Sequence, residues 1–185
     1  METTTQIYLQ ITLDRGGVVA GESGAGGYEN RIDIDSFVFT ANSEQKQSLK
    51  ATADKTVRNN LDFSPVTVTK VFDRASLQLA AVMKRREKFK EAKIAVDQQY
   101  IDPDWSGKAR NEILILYLYD GYIADIRLQT SESNLGAQIK EIIQLSFHNF
   151  RVEYYAEDRG NSGKLVDDYR WEPCIYETNR PEQRA

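Results

Sequence analysis

The chain has 185 residues, 41% hydrophobic and 28% charged, with a formal charge of -4, proportions that suit one globular domain able to bury a real core. The acidic balance leaves no electrostatic footprint for DNA or RNA, and no apolar run approaches the ~20 residues that span a bilayer. A lone cysteine, Cys174, and a lone histidine, His148, exclude an internal disulfide and the usual Cys/His zinc patterns.

The first residues lack the basic head and apolar middle of a signal peptide, so synthesis and initial residence in the cytosol are expected. Ile7 to Asp14 alternates, with Ile7, Leu9, Ile11 and Leu13 on one side and Tyr8, Gln10 and Thr12 on the other, the pattern of a half-buried strand. Six glycines follow between Gly16 and Gly27. A dinucleotide or phosphate loop would open a helix or close on Gly-Lys-Ser/Thr, whereas here a second strand follows, Arg31 to Ala41, and a flexible loop is the better reading. That strand changes phase across Ser36, from Ile32 and Ile34 to Phe37 and Phe39, which requires a bulge or bend. Asn42 to Asp62 is polar and without period, the mark of a long exposed loop or arm.

Val66 to Phe72 returns to strand, and Asp73 is placed to cap a helix running to about Lys88, with Ala75, Leu79, Val82 and Met83 as its apolar stripe. The Lys84, Arg85, Arg86 and Lys88 cluster then sits at a helix C-terminus, where cations are favoured. Ala92 to Ile101 reads as a strand and Asp102 to Gly107 as a turn without the ligand spacing of a calcium loop. Ile113 to Leu128 contains Asp120-Gly121, compatible with a hairpin turn. The even apolar set from Leu114 to Leu128 keeps its phase across the glycine, which favours one bent strand. Thr130 to Ala137 is expected to be the loop into the organising strand, Ile139 to Tyr155. Its apolar set is odd up to Phe147 and even from Phe150, so it bends near His148 and Asn149, as strands do when they turn the corner of a barrel. The two long segments can pair antiparallel. Glu157 to Asp168 reads as a polar loop, Tyr169 to Tyr176 as a last strand with Pro173 at an edge, and Asn179 to Ala185 as a fraying tail.

No constellation carries chemistry. A serine or cysteine nucleophile needs a base within hydrogen-bond reach, yet His148 lies in the organising strand beside Ser146, and Cys174 has no activating partner. The pairs Asp33 with Asp35 and Asp167 with Asp168 are of a kind found on any acidic surface. No catalytic, cofactor or metal site is expected.

The order of elements is more informative. A first strand, Gly21-Glu22-Ser23, the Ile32-Asp33-Ile34 to Phe39 strand, a helix after Asp73, long paired strands with Leu145-x-Phe147 and Val152-x-Tyr154, and a closing Trp171 together resemble the haemolysin-coregulated protein (Hcp) family of type VI secretion. The resemblance runs from about Ile7 to Asn179. Phe37-Val38-Phe39 stands where many members carry tryptophans, Leu77 replaces a proline common at the helix start, and the Asn42–Asp62 segment is enlarged. Membership implies one mainly β domain over residues 1–185, a barrel of two packed antiparallel sheets with one flanking helix. It implies a structural subunit of hexameric rings stacked into a tube, partnered by sheath, spike and baseplate proteins and carrying effectors in its lumen. No cofactor, nucleic acid or membrane insertion is implied, and export occurs without a signal peptide. Candidate ring-stacking contacts are Gly21, Glu22, Ser23 and Tyr28 in the glycine-rich loop and Lys46, Lys50, Lys55 and Arg58 in the arm, since both segments are long, polar and attached to core strands. Two rival readings remain: the tail-tube protein of a phage-like contractile injection particle, and a small cytosolic β-barrel enzyme or ligand binder using His148.

Overall fold

The computed structural model describes residues 3–45, 59–100, 109–133, 136–156 and 164–171. In chain order the strands are β1 (Thr3–Leu13), β2 (Ile32–Ile34), β3 (Ser36–Val38), β4 (Ala41–Gln45), β5 (Asn59–Phe63), β6 (Val66–Val71), β7 (Lys88–Tyr100), β8 (Ala109–Ser133), β9 (Gly136–Ser146), β10 (Asn149–Ala156) and β11 (Lys164–Trp171), with the helix α1 (Arg74–Lys84) between β6 and β7. The mainly antiparallel β class with one flanking helix is as the sequence predicts. Its layers belong to one continuous nine-stranded sheet in the order β2-β1-β7-β8-β9-β6-β3, and β10 joins β8 to β11.

The predicted phase change at Ser36 has a topological consequence. β2 pairs with β1 and β3 pairs with β6, so neighbouring residues of one segment lie at the two ends of the sheet. Asp35 stands between them and donates its N–H to the Thr69 carbonyl at 2.8 Å. The sheet therefore curves until its ends adjoin at Asp35, and one face becomes an interior. That interior holds Leu9, Ile11, Ile32, Val66, Val68, Phe89, Ile94, Leu116, Leu118, Ile143, Leu145 and Phe150, with Val19 from the glycine-rich loop.

β8 runs unbroken through Asp120-Gly121, confirming the bent strand. Asp120 takes a left-handed φ of 52°, a conformation Asp tolerates better than most side chains. A Cβ on Gly121 would lie 2.2 Å from both the Phe89 ring and the Ser146 carbonyl oxygen, so only glycine fits the bend. Against the same edge of β8, β9 pairs with the second half and β10 with the first. The organising segment is thus two strands separated by Phe147 and His148, and the bend falls where the apolar phase flips. Leu145, Ile143 and Phe150 are buried on either side of it.

Several boundaries differ from expectation, each for a physical reason. The segment from Thr130 to Ala137 is not a loop: β8 reaches Ser133 and β9 starts at Gly136, paired through Ser133 with Gly136. A ribbon that outruns its core has no apolar alternation to show. Asn42–Asp62, expected as a loop or arm, begins and ends in a two-stranded ribbon of β4 and β5, again a backbone ladder without a periodic signature. Lys164 to Asp168, placed in the last loop, already belongs to β11, paired with β10. The helix ends at Lys84 with Arg85 as its C-cap; Arg86 turns left-handed at φ 50°, and Lys88, expected in the helix, opens β7. Ser76 faces the interior with Ala75, Leu79 and Val82, whereas Met83 is exposed. β1 is buried on both faces at its centre, because Tyr8, assigned to the polar side, is as covered as Leu9. The Asp102–Gly107 turn, Gly160 to Gly163, Pro173, Cys174, the Asn179–Ala185 tail and the arm residues Lys46, Lys50, Lys55 and Arg58 lie outside the described residues.

Candidate functional site

The glycine-rich loop is stapled to the body by the residues that the sequence singles out. Gly21 donates its N–H to the Asn30 carbonyl at 2.8 Å, Ser23 donates to Arg31 and accepts from Asn30, and a Cβ on Gly21 would sit 2.1 Å from the Arg31 oxygen. Glu22 is exposed, and its Oε1 accepts the Arg74 N–H at 3.1 Å. A carboxylate there satisfies an otherwise unpaired amide of the first helical turn and complements the dipole. Tyr28 stacks on Tyr8 with ring centroids 4.1 Å apart, lies under the Arg31 guanidinium at 4.4 Å, and donates its hydroxyl to Glu112 Oε1 at 3.1 Å. Gly21, Ser23 and Tyr28 are buried, so they set the shape of the loop, and its outward crest is made of Gly24, Gly26, Gly27 and Glu29.

Burial, reinforced by the negative charge of Glu112 and Asp97, pushes the Tyr28 phenol well above its ordinary range. The same holds along the outer face of β8 and β10. Tyr117 is raised by burial and by Glu153, Tyr119 by burial and by Glu91, and Tyr155 by burial and by its hydrogen bond to Glu153. Tyr117 and Tyr119 stack with an interplanar angle of 2°. Glu153 is buried among them, accepts the Tyr155 hydroxyl at 2.9 Å and pairs with Arg151 at 2.7 Å. A raised phenol pKa means these rings stay neutral donors at physiological pH, suited to packing and hydrogen bonding rather than to general-base work.

The arm is rooted in the core. Phe63, the last residue of β5, packs edge-on to Phe150 at 4.8 Å and beside Phe39 at 5.9 Å, and Phe39 in turn meets Phe150 at 5.0 Å. Four rings, with Phe147 as the fourth, thus fix the exit angle of the β4-β5 ribbon. Aromatic pairs of this kind contribute roughly 0.5–1.5 kcal/mol each beyond their buried area.

The charged group that the sequence did not foretell is Lys70, wholly buried on β6. Its Nζ shares three N–H groups among four acceptors, Asp73 Oδ1 at 2.6 Å, Val71 O at 2.8 Å, Ser76 Oγ at 2.9 Å and Glu141 Oε2 at 3.2 Å. Ser76 Oγ also donates to Glu141 Oε2 at 2.7 Å. Asp73 closes the capping box with Ser76, so one ammonium ties β6, β9 and the first turn of α1 together. The available signal was Lys70 in phase with Val66 and Val68, on a strand whose opposite face begins with Thr67 and Thr69.

His148 is exposed and its backbone N–H donates to Tyr119 O at 3.0 Å; Asp35 pairs with Lys140 at 3.2 Å and Asp168 with Arg151 at 3.3 Å. Among the described residues no group of His, Cys, Asp and Glu is arranged to hold a metal ion, and no helix is long and apolar enough to cross a membrane. A cleft of ≈190 Å³ lies between the turn after β1 and the second half of α1.

Among the described residues a curved antiparallel sheet with its ends adjoining, a rooted ribbon standing off it and one capped helix define a β-rich protein whose elaborated parts are surfaces. Over residues 8–154 the sequence matches the family model described as "Type VI secretion system effector, Hcp", and the chain belongs to that family. Among curated proteins no sequence matches it. Similar solved structures include one described as that of a type six secretion system protein, with a TM-score of 0.67 at 18% identity, covering 92% of this chain and 96% of the other. Hcp1 from E. coli EAEC 042 aligns with a TM-score of 0.63 at 14% identity over 90% and 99% of the two chains. Hcp1 from Salmonella typhimurium aligns with a TM-score of 0.60 at 17% identity over 89% and 93%. At such identities the likeness is one of fold.

Proposed function

We propose that this protein is a non-enzymatic tube subunit of a type VI secretion machine. It assembles into hexameric rings that stack into a hollow tube, which a contracting sheath drives outward behind a spike and which carries effectors in its lumen. The observation that supports this best, beside family membership, is the arm: a ribbon hydrogen-bonded to no other described strand, anchored by Phe39 and Phe63 against the core. A projecting ribbon with a rigid root suits contact with a neighbouring ring, because stacking needs a surface distinct from the one that closes the ring. The loop crest beside Tyr28, with Gly21, Glu22 and Ser23 as its frame, is the second stacking surface in this reading, and Lys46, Lys50, Lys55 and Arg58 are the arm's contributions.

The test replaces residues 46–58 with a two-residue Asn-Gly turn, which keeps β4 and β5 paired. Electron microscopy of the purified variant is expected to show rings that do not stack. Tubes indistinguishable from those of the unaltered protein would remove the arm from the account.

A further inference from the structure

The sheet outruns the core on the side where α1 begins, and the strand register shows what is left uncovered. Ile126 of β8 faces Ile143 of β9, which faces Val68 of β6; this row is interior. Two residues further out, Leu128 faces Glu141 and Glu141 faces Lys70, with the first turn of α1 lying over the ion pair. In the next row Thr130 faces Ile139, and Phe72 donates its N–H to the Ile139 carbonyl at 2.9 Å. Directly opposed residues share a face, so Leu128, Ile139 and Phe72 extend the core face beyond the core. Their exposures are 59%, 51% and 39%. One row further, Glu132 lies on the same face, opposite Ala137. An apolar strip in phase with the core and closed by an acid is an interaction surface rather than scattered surface hydrophobicity.

At the other end of α1 lies its complement. The cleft beside the second half of the helix is lined by Leu13, Val18, Val19, Ala81, Val82 and Arg85. Val18 is half exposed, and Arg85, the middle residue of the basic run from Lys84 to Arg86, lines the cleft. Arg85 pairs with Glu87 at 3.0 Å, yet 59% of its side chain is exposed, and a guanidinium has donors to spare. The strip and the cleft are thus separated by the eleven-residue helix, about 16 Å. They are apolar on both sides, acidic at the edge of one and basic at the edge of the other.

We propose that these are the two halves of a head-to-tail contact between copies of this chain: Phe72, Leu128 and Ile139 of one copy seat in the Leu13, Val18 and Val82 cleft of the next, with Glu132 beside the Arg85 guanidinium. Two different patches on opposite ends of one helix are what a heterologous interface requires, and repetition of such a contact closes a ring or winds a filament. The basic end of the helix then has a role as the charged rim of a docking site, where it sets register and pairing more than affinity. This inference rests on the ring-forming reading above and names its contact.

The experiment measures self-association of the full chain by analytical ultracentrifugation, with circular dichroism confirming that each variant is folded. Leu128→Asp should weaken association at least about tenfold, as loss of a central apolar anchor does. Glu132→Lys and Arg85→Glu should each weaken it, and the two together should restore it. In a Cys174→Ser background, Leu128→Cys combined with Val18→Cys should give a ladder of covalent multimers on oxidation, and neither cysteine alone should. Rings that form normally with Leu128→Asp, or rings of the double-cysteine variant that give no ladder, would overturn this contact and leave the tube reading standing. An unaltered protein that never associates would overturn both.

Discussion

The buried Lys70 offers the sharpest test of the packing. In Lys70→Met a flexible apolar chain of similar length takes the space, but Glu141 is left fully enclosed with the Ser76 hydroxyl at 2.7 Å as its remaining partner. Asp73, whose side chain is 15% exposed, can turn to water; Glu141 at 2% cannot. Removing one partner of an enclosed pair costs about 3–5 kcal/mol, because the surviving charge is stranded. For a domain of this size each kcal/mol lowers the melting temperature by roughly 2–4 °C, so a fall of roughly 6–20 °C is expected. Replacing both partners, Lys70→Met with Glu141→Leu, removes the stranded charge and is expected to recover most of the loss. Thermal unfolding followed by circular dichroism, with protein concentration held constant, reads all three. A single Lys70→Met variant that melts within about 2 °C of the unaltered chain would refute the reasoning that this ammonium holds β6, β9 and α1 together.

Three further outcomes are expected. Gly121→Ala drives a methyl into the Phe89 ring and the Ser146 carbonyl and should destabilise by about 3 kcal/mol or more; equal denaturant midpoints for variant and unaltered chain would mean that the bend is not tight. Tyr28 has a folded pKa above its unfolded one, so the unfolded state loses its proton first and stability falls as pH rises past about 10. Tyr28→Phe should therefore shift alkaline unfolding, followed by tyrosine absorbance, to higher pH, and an unchanged or lower midpoint would contradict that. Phe63→Ala should loosen the arm's root and cost about 3 kcal/mol, readable as a lower urea midpoint together with rapid amide exchange of β4 and β5; slow exchange would show that the ribbon holds without its aromatic anchor.

What was legible in the sequence was whatever had to be apolar. Leu9, Ile11, Ile143 and Leu145 alternate because one face of each strand meets the interior, and the phase flips at Ser36 and His148 marked real bends because a change of buried face must be encoded in residue type. Asp73 was recognisable as a cap because few residue types serve there. The β8-β9 extension past Leu128 and the β4-β5 ribbon were not legible, since their ladders consist of backbone hydrogen bonds that any polar sequence can make. Lys70, Glu141 and Glu153 escaped notice because a charge in a strand is ordinarily a solvent position; only the register shows that they face inward or lie beneath neighbouring rings. Tyr8 belongs with them, covered by Tyr28 from a loop that sequence alone could not fold over it. The site residues fared likewise: Gly21 and Ser23 were singled out as surface and serve as staples, while Leu128 and Ile139 were read as core and lie exposed.

The central claim is that this chain works by gripping copies of itself. Native mass measurement of the purified protein, paired with negative-stain imaging, addresses that most directly. The account predicts a particle with six times the mass of the chain and a ring-shaped outline with a central hole. A monomer at every concentration and salt condition, with no rings on the grid, would contradict it.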